Sequence, residues 1–146
     1  MKLKNSFIFI SFLLTLGSTY AADGWKTDFK AAFVEAREEG KNVLVDFTGS
    51  DWCGWCIKLD KEVFSKDAFK KYAEDKLVLV EIDFPRKKQQ SKELVEQNKK
   101  LADKYGIRGF PTILIFSPEE ELLGKTGYKA GGPEAYIKHI EEIVGN

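Results

Sequence analysis

Cys53 and Cys56 are the only cysteines of the chain, and they stand two residues apart in "DWCGWC", residues 51–56. The apolar run "NVLVDF" (42–47) just before them is too short for a helix and reads as a buried strand. "TGSD" breaks that strand, and a helix is expected to begin around the cysteines. A helix N-terminus exposes N–H groups and carries about half a positive charge. A thiol held there loses its proton more easily. The first cysteine, Cys53, can then attack a disulfide, and Cys56, one helical turn on, can resolve the mixed disulfide that forms. Trp52, just before the pair, and Trp55, within it, offer large apolar surfaces that limit solvent and suit an unfolded peptide.

Three other uses of the pair compete with redox chemistry. A structural disulfide is possible, but a loop of about four residues gives only about 2 kcal/mol of loop-closure stabilisation, against about 3 for fifteen. A structural metal site needs about four ligands, and the chain has one histidine, His139, far away on its closing segment. A cysteine hydrolase needs a histidine base beside its nucleophile. His139 lies in a stretch rich in Glu and Lys and reads as a surface residue. Neither a metal nor an organic cofactor is therefore expected.

A second motif is "YGIRGFPT", residues 105–112. Proline directly before a strand is unusual because it cannot donate to the ladder. The aromatic Phe110 before Pro111 also favours a cis peptide among X-Pro bonds. A cis bond there would leave a neighbouring backbone edge free for an incoming chain. An ordinary trans proline opening an edge strand is the alternative.

These residues must be positioned by one ordinary globular domain: 146 residues, 43% hydrophobic and 32% charged. Lys plus Arg and Asp plus Glu number 23 each, so the composition points to neither a nucleic acid nor an anionic membrane as partner. The start differs from the rest. Lys2 and Lys4 precede an apolar run from Phe7 to Leu16, and Thr19 and Ala21 have the spacing of a leader cleavage site. Residues 1–21 are read as a signal peptide and 22–146 as the domain; the apolar run is short of the roughly 20 residues a spanning helix needs. Outside the cytoplasm, a disulfide between Cys53 and Cys56 would persist.

Along the domain, a helix is expected over 27–41, capped by Thr27 or Asp28 and ended by Gly40. After the cysteine helix, Ser65 is read as the N-cap of "KDAFKKYAED". "LVLVEID" (77–83) is a second buried strand, and the segment 84–106 a polar turn leading into a helix. "TILIF" (112–116) is a third strand, "ELLGKTGYK" (121–129) a fourth, and "PEAYIKHIEEIV" (133–144) a closing amphipathic helix. The fold class is α/β, a central mixed sheet with helices on both faces.

"VDF", "DWCGWC", "EID" and "YGIRGFPT", followed by Gly127 in the next strand, occur in this order over roughly residues 25–144. Together they resemble the thioredoxin-like family, and more narrowly its exported members with a W-C-x-W-C site. The resemblance implies the thioredoxin-like fold and dithiol–disulfide exchange. By it, Cys53 matches the exposed nucleophile and Cys56 the buried resolving thiol. Pro111 matches the cis proline facing the pair, and Gly127 the small residue beside the substrate groove. Asp46 resembles the buried aspartate that helps move the resolving thiol's proton. Trp52, Trp55, Phe110, Pro111 and Gly127 would line the docking surface.

Several features depart from thioredoxin. The intervening dipeptide is Gly-Trp, and Asp46 stands seven residues before Cys53, one more than in thioredoxin. Thr48 and Gly49 replace the tryptophan expected after "DF". The strand "LVLVEID" lacks the lysine that accompanies the buried aspartate, and the first strand is missing.

The function expected is an exported thiol–disulfide oxidoreductase acting on disulfide-containing proteins and recharged by a membrane-bound dithiol donor. A reductase or isomerase is expected rather than a primary oxidant. Gly54 and Trp55 are uncharged, and the nearest upstream charge, Asp51, would disfavour a thiolate. The alternative is a peptide-binding module with a permanently oxidised pair.

Overall fold

The computed structural model describes residues 24–145; the expected signal peptide lies outside the described residues. Helix α1, Phe29–Glu39, starts at Asp28, whose carboxylate accepts the Ala31 N–H at 3.0 Å, and stops at Gly40 in the left-handed region, φ 65°. Strand β1 follows at Asn42–Thr48. Helix α2, Gly54–Leu59, begins at Cys53 and runs into a π-helical turn, Asp60–Phe64. Then come α3 (Asp67–Lys76), β2 (Leu77–Asp83), α4 (Lys92–Lys104), β3 (Thr112–Phe116), β4 (Leu122–Thr126) and α5 (Gly132–Val144). The expected order of elements is the observed one.

The sheet runs β2-β1-β3-β4. Strand β1 pairs parallel with β2 and antiparallel with β3, and β3 pairs antiparallel with β4, so the sheet is mixed as expected. Strand periodicity sorts the side chains. Val43, Val45 and Phe47 of β1 join Val78, Val80 and Ile82 of β2 and the buried face of α1 in one core. Leu44, with Leu77 and Leu79, joins Leu59, Phe64, Phe69 and Tyr136 in a second core on the opposite face. Each large apolar side chain fully buried here contributes about 1.5–3 kcal/mol. Towards the C-terminal ends of β1 and β2, this second face changes character. Asp46 lies in register with Glu81, and Thr48 with Asp83. Polar side chains thus take over where the cysteine helix packs.

Some local expectations are corrected. Ser65 does not cap α3. Its backbone is helical (φ −79°, ψ −5°), whereas an N-cap is extended, and its hydroxyl donates to the Lys61 carbonyl at 3.3 Å. The extended residue before α3 is Lys66, which makes no side-chain cap. Gly127 lies just past β4 rather than within a strand, since the ladder ends with Thr126 opposite Ile113. His139 is half-buried rather than superficial: its Nε2 lies 2.9 Å from Thr126 Oγ1, between α5 and the end of β4. In place of an additional first strand, Lys26 makes a single parallel bridge to Val80, through Lys26 N–H to the Leu79 carbonyl and Glu81 N–H to the Lys26 carbonyl, both 2.8 Å.

Candidate active site

The turn after β1 places the cysteines. Cys53 N–H donates to the Gly49 carbonyl at 2.8 Å and Trp52 N–H to the same oxygen at 3.2 Å. This tight turn absorbs the extra residue between Asp46 and Cys53. Cys53 is the N-cap of α2, with extended backbone, and its Sγ accepts the Cys56 N–H at 3.2 Å. The two cysteines are joined by a disulfide, with Cα atoms 5.2 Å apart. By the family resemblance, Cys53 is expected to be exposed and Cys56 buried. Joined by the disulfide, both are buried, 7% and 4% exposed. What separates them is position: Cys53 sits at the cap, facing the helix N–H groups, while Cys56 is one turn inside.

Behind Cys56 lies a polar pocket lined by Asp46, Thr48, Ser50, Asp60, Glu81 and Lys88, among others. Asp46 is buried, and its Oδ1 has no hydrogen-bond partner among the described residues. Burial raises its pKa well above the ordinary carboxylate value, and the neighbouring charges of Glu81, Asp60 and Asp83 push the same way. Glu81 is half-buried and also raised, first by desolvation and then by Asp83. Asp46, Glu81 and Asp83 share one face because residues paired across parallel strands point the same way. Where the family carries a lysine near the buried aspartate, this pocket therefore gathers carboxylates.

The loops around the pair are tied by contacts far apart in sequence. Asp83 accepts the Ser50 N–H at 2.9 Å and the Ser50 hydroxyl at 2.5 Å, and Asn98 Nδ2 donates to the Asp83 carbonyl at 2.9 Å. Asp51 accepts three successive N–H groups, from Arg86 at 2.9 Å, Lys87 at 2.7 Å and Lys88 at 3.1 Å. These bonds, the Arg86 N–H foremost, hold the Asp51 carboxyl below its usual range. Asp51 is thereby held as an anion that ties the turn before Cys53 to the loop 86–88. The same loop sets the Arg86 guanidinium 3.9 Å above the Trp52 ring.

The expected docking residues fall into two groups. Trp52 is half-buried and fixed rather than open: its Nε1–H donates to the Phe84 carbonyl at 2.8 Å and its ring meets Phe110 edge-on at 5.9 Å. Phe110 precedes Pro111, and the Phe110–Pro111 peptide is cis. Gly127 lies beside Pro111: a Cβ on it would stand 3.1 Å from the Pro111 carbonyl oxygen. Trp55 is 58% exposed and lies on another side, 5.0 Å from Tyr128, with the Lys58 ammonium about as close to both rings, 5.1 and 5.2 Å. Among the described residues, no group of three His, Cys, Asp or Glu side chains is placed to hold a metal ion.

Gly49, Glu81, Asp83, Arg86, Tyr128 and Tyr136 were not singled out as site residues from sequence. Tyr136 donates to the Gly127 carbonyl at 2.9 Å and so fixes that wall from the core. The one available signal was Gly49, the small residue standing where the family carries tryptophan. Its missing side chain is filled by the Trp52 indole: a Cβ at Gly49 would stand 2.6 Å from Trp52 Nε1. Gly49→Ala is therefore expected to drive Trp52 out, break its bond to Phe84 and change the tryptophan emission of the oxidised protein. Overpacking of this kind costs about 1–3 kcal/mol, readable by chemical denaturation. Unaltered emission and stability would show that Trp52 is not wedged there.

Residues 29–143 match the family of thioredoxin-like domains. The disulfide bond reductase DsbH of Chlamydia pneumoniae is 33% identical over 120 residues, covering 82% of this chain and 72% of that protein. The thioredoxin-related protein DsbJ of the same organism is 33% identical over 103 residues, covering 70% of this chain but only 30% of its own length. Among solved structures, that of a DsbH oxidoreductase superposes with a TM-score of 0.79 at 31% identity, over 89% of this chain and 92% of that one.

Proposed function

Since this chain belongs to the thioredoxin-like family and is a thiol–disulfide oxidoreductase, we propose that it works outside the cytoplasm as a reductase or isomerase of protein disulfides, with Cys53 as nucleophile and Cys56 as resolving thiol. The observation that carries the assignment of roles is Cys53 at the cap of α2, its sulfur accepting the Cys56 N–H at 3.2 Å. An N–H aimed at sulfur stabilises the thiolate over the thiol, so Cys53 is the sulfur that ionises first.

Electrons and protons balance through two exchanges. The Cys53 thiolate attacks one sulfur of the substrate disulfide; the S–S bond breaks, and the leaving thiolate takes a proton from solvent. Cys56 then loses its proton to the Asp46 carboxylate and attacks Cys53 Sγ. The protein disulfide forms, the second substrate thiolate leaves and is protonated, and Asp46 returns its proton to solvent through the pocket past Glu81 and Lys88. Two electrons pass from the protein to the substrate. A carboxyl whose pKa is raised by burial is a stronger base than an ordinary carboxylate, which suits it to accept the thiol's proton.

A strong oxidant needs a reduced form held by a very low nucleophile pKa. Gly54 and Trp55 between the cysteines are uncharged, and the Arg86 guanidinium, stacked on Trp52, is exposed to screening water. Cys53 is left mainly with the helix N–H groups. The relative named as a disulfide bond reductase supports the same direction. Export rests on the leader-like residues 1–21, and a dithiol donor at the membrane would recharge the pair; Pro111, Gly127, Phe110, Trp52 and Trp55 would seat the substrate. The mature protein is expected to accelerate insulin precipitation by dithiothreitol. A rate equal to that of dithiothreitol alone would leave the pair without turnover and favour a peptide-binding module.

A further inference from the structure

The charges of this chain balance overall but not around its disulfide. Several segments around the pair carry exposed cations: Lys58 and Lys61 on and after α2, Arg86 and Lys87 in the loop bonded to Asp51, Arg108 three residues before Pro111, and Lys129 two residues after Gly127. The acids of the same segments are already engaged. Asp51 is bonded by three backbone N–H groups. Glu62 accepts the Tyr128 hydroxyl at 2.6 Å and pairs with Lys58 at 3.8 Å, which offsets part of that cation's charge. Asp60 lines the pocket behind Cys56 with Asp46 and Glu81. Other carboxylates gather elsewhere, on α1, in the turn 119–121 and on α5.

Two of the cations are held in place rather than free in solvent. The Arg86 guanidinium lies over Trp52, and Lys58, 3.8 Å from the Glu62 carboxylate, lies beside Trp55 and Tyr128. Beyond Tyr128 a shallow groove continues past Lys61 and Lys66. An extended chain crossing the disulfide would meet aromatic surface with cations on both sides of its cysteine.

We propose that this rim selects protein segments whose cysteine is flanked by Asp or Glu. The inference rests on the oxidoreductase reading and names its substrate class. Opposite charges at such a surface mainly raise the rate of productive encounter, and ionic strength weakens the effect because the screening length falls to about 10 Å at 0.1 M salt.

Three disulfide-linked peptides of equal length test it, with the cysteine flanked by Glu, by Gln or by Lys, reduced by the dithiol form of the mature protein. At about 20 mM salt the Glu peptide is expected to exceed the Lys peptide in kcat/KM by about ten-fold or more, the lower range of electrostatic steering. At about 300 mM salt the ratio should fall several-fold. Lys87→Glu combined with Arg108→Glu, both exposed positions, should lower the same ratio measured within the variant. Equal kcat/KM for the peptides, a preference that survives salt, or a ratio untouched by the double substitution would each overturn the proposal. No turnover of any peptide, the Gln one included, would instead overturn the oxidoreductase reading on which it rests.

Discussion

Cys56→Ser is expected to stop the protein at a mixed disulfide with its substrate, joined through Cys53, while Cys53→Ser forms no such adduct. Both should lose reductase turnover by at least about three orders of magnitude, the scale seen when an enzyme's nucleophile is removed. No third cysteine exists to substitute for either. The asymmetry between the variants is the informative part. Cys53 caps α2 and receives the Cys56 N–H, whereas Cys56 lies in the interior against the polar pocket. Mass spectrometry of the trapped species under non-reducing conditions reads the outcome. Adducts formed through Cys56 in the Cys53→Ser protein, and none in the reverse case, would exchange the two roles.

Asp46→Ala should make the oxidised protein more stable and the reduced protein a slower enzyme. In the unfolded chain this carboxyl ionises near 3.8; in the fold it keeps its proton to higher pH, because of burial first and then of Glu81, Asp60 and Asp83. The native state thus binds more protons than the unfolded state between the two values. Stability is full below about 3.8 and falls as pH rises through the raised value. The alanine variant lacks that fall. At pH 8 it should exceed the parent by on the order of 1–3 kcal/mol, the desolvation cost of one unsatisfied buried polar group, and the difference should shrink as the pH is lowered. The carboxylate borders a pocket already present, so its removal enlarges that pocket rather than opening a sealed one. Resolution of the mixed disulfide should slow by about 10²-fold, the lower range for loss of a general base, and lose its rise with pH. Urea titrations at several pH values and stopped-flow resolution kinetics measure the two effects. A variant less stable at pH 8, with resolution at the parental rate, would remove Asp46 from the mechanism.

The order of elements was legible because each strand is a short apolar run and each helix an amphipathic one with a recognisable end, such as Gly40 after α1. The π-helical turn was not, since it depends on Ser65 N–H reaching back five residues to the Asp60 carbonyl at 2.8 Å, a choice made by packing rather than by local pattern. The cysteine pair, Asp46 and Pro111 were visible as motifs. Glu81 and Asp83 were not recognised as neighbours of Asp46, because alternation along "LVLVEID" gives their face but not which strand lies beside it. The loop carrying Arg86 stands 35 residues from Asp51, whose carboxylate holds it, and nothing local links them. That loop gives Asp51 an anchoring role in addition to its charge.

The central claim is that the Cys53–Cys56 couple donates electrons to protein disulfides. Its reduction potential, measured by equilibration with glutathione buffers and alkylation of the free thiols, tests this most directly. The helix N–H groups acting without a charged residue between the cysteines predict a potential in the range of about −230 to −270 mV. A value near about −120 mV, that of the strongest protein oxidants, would contradict the account and reverse the direction of exchange.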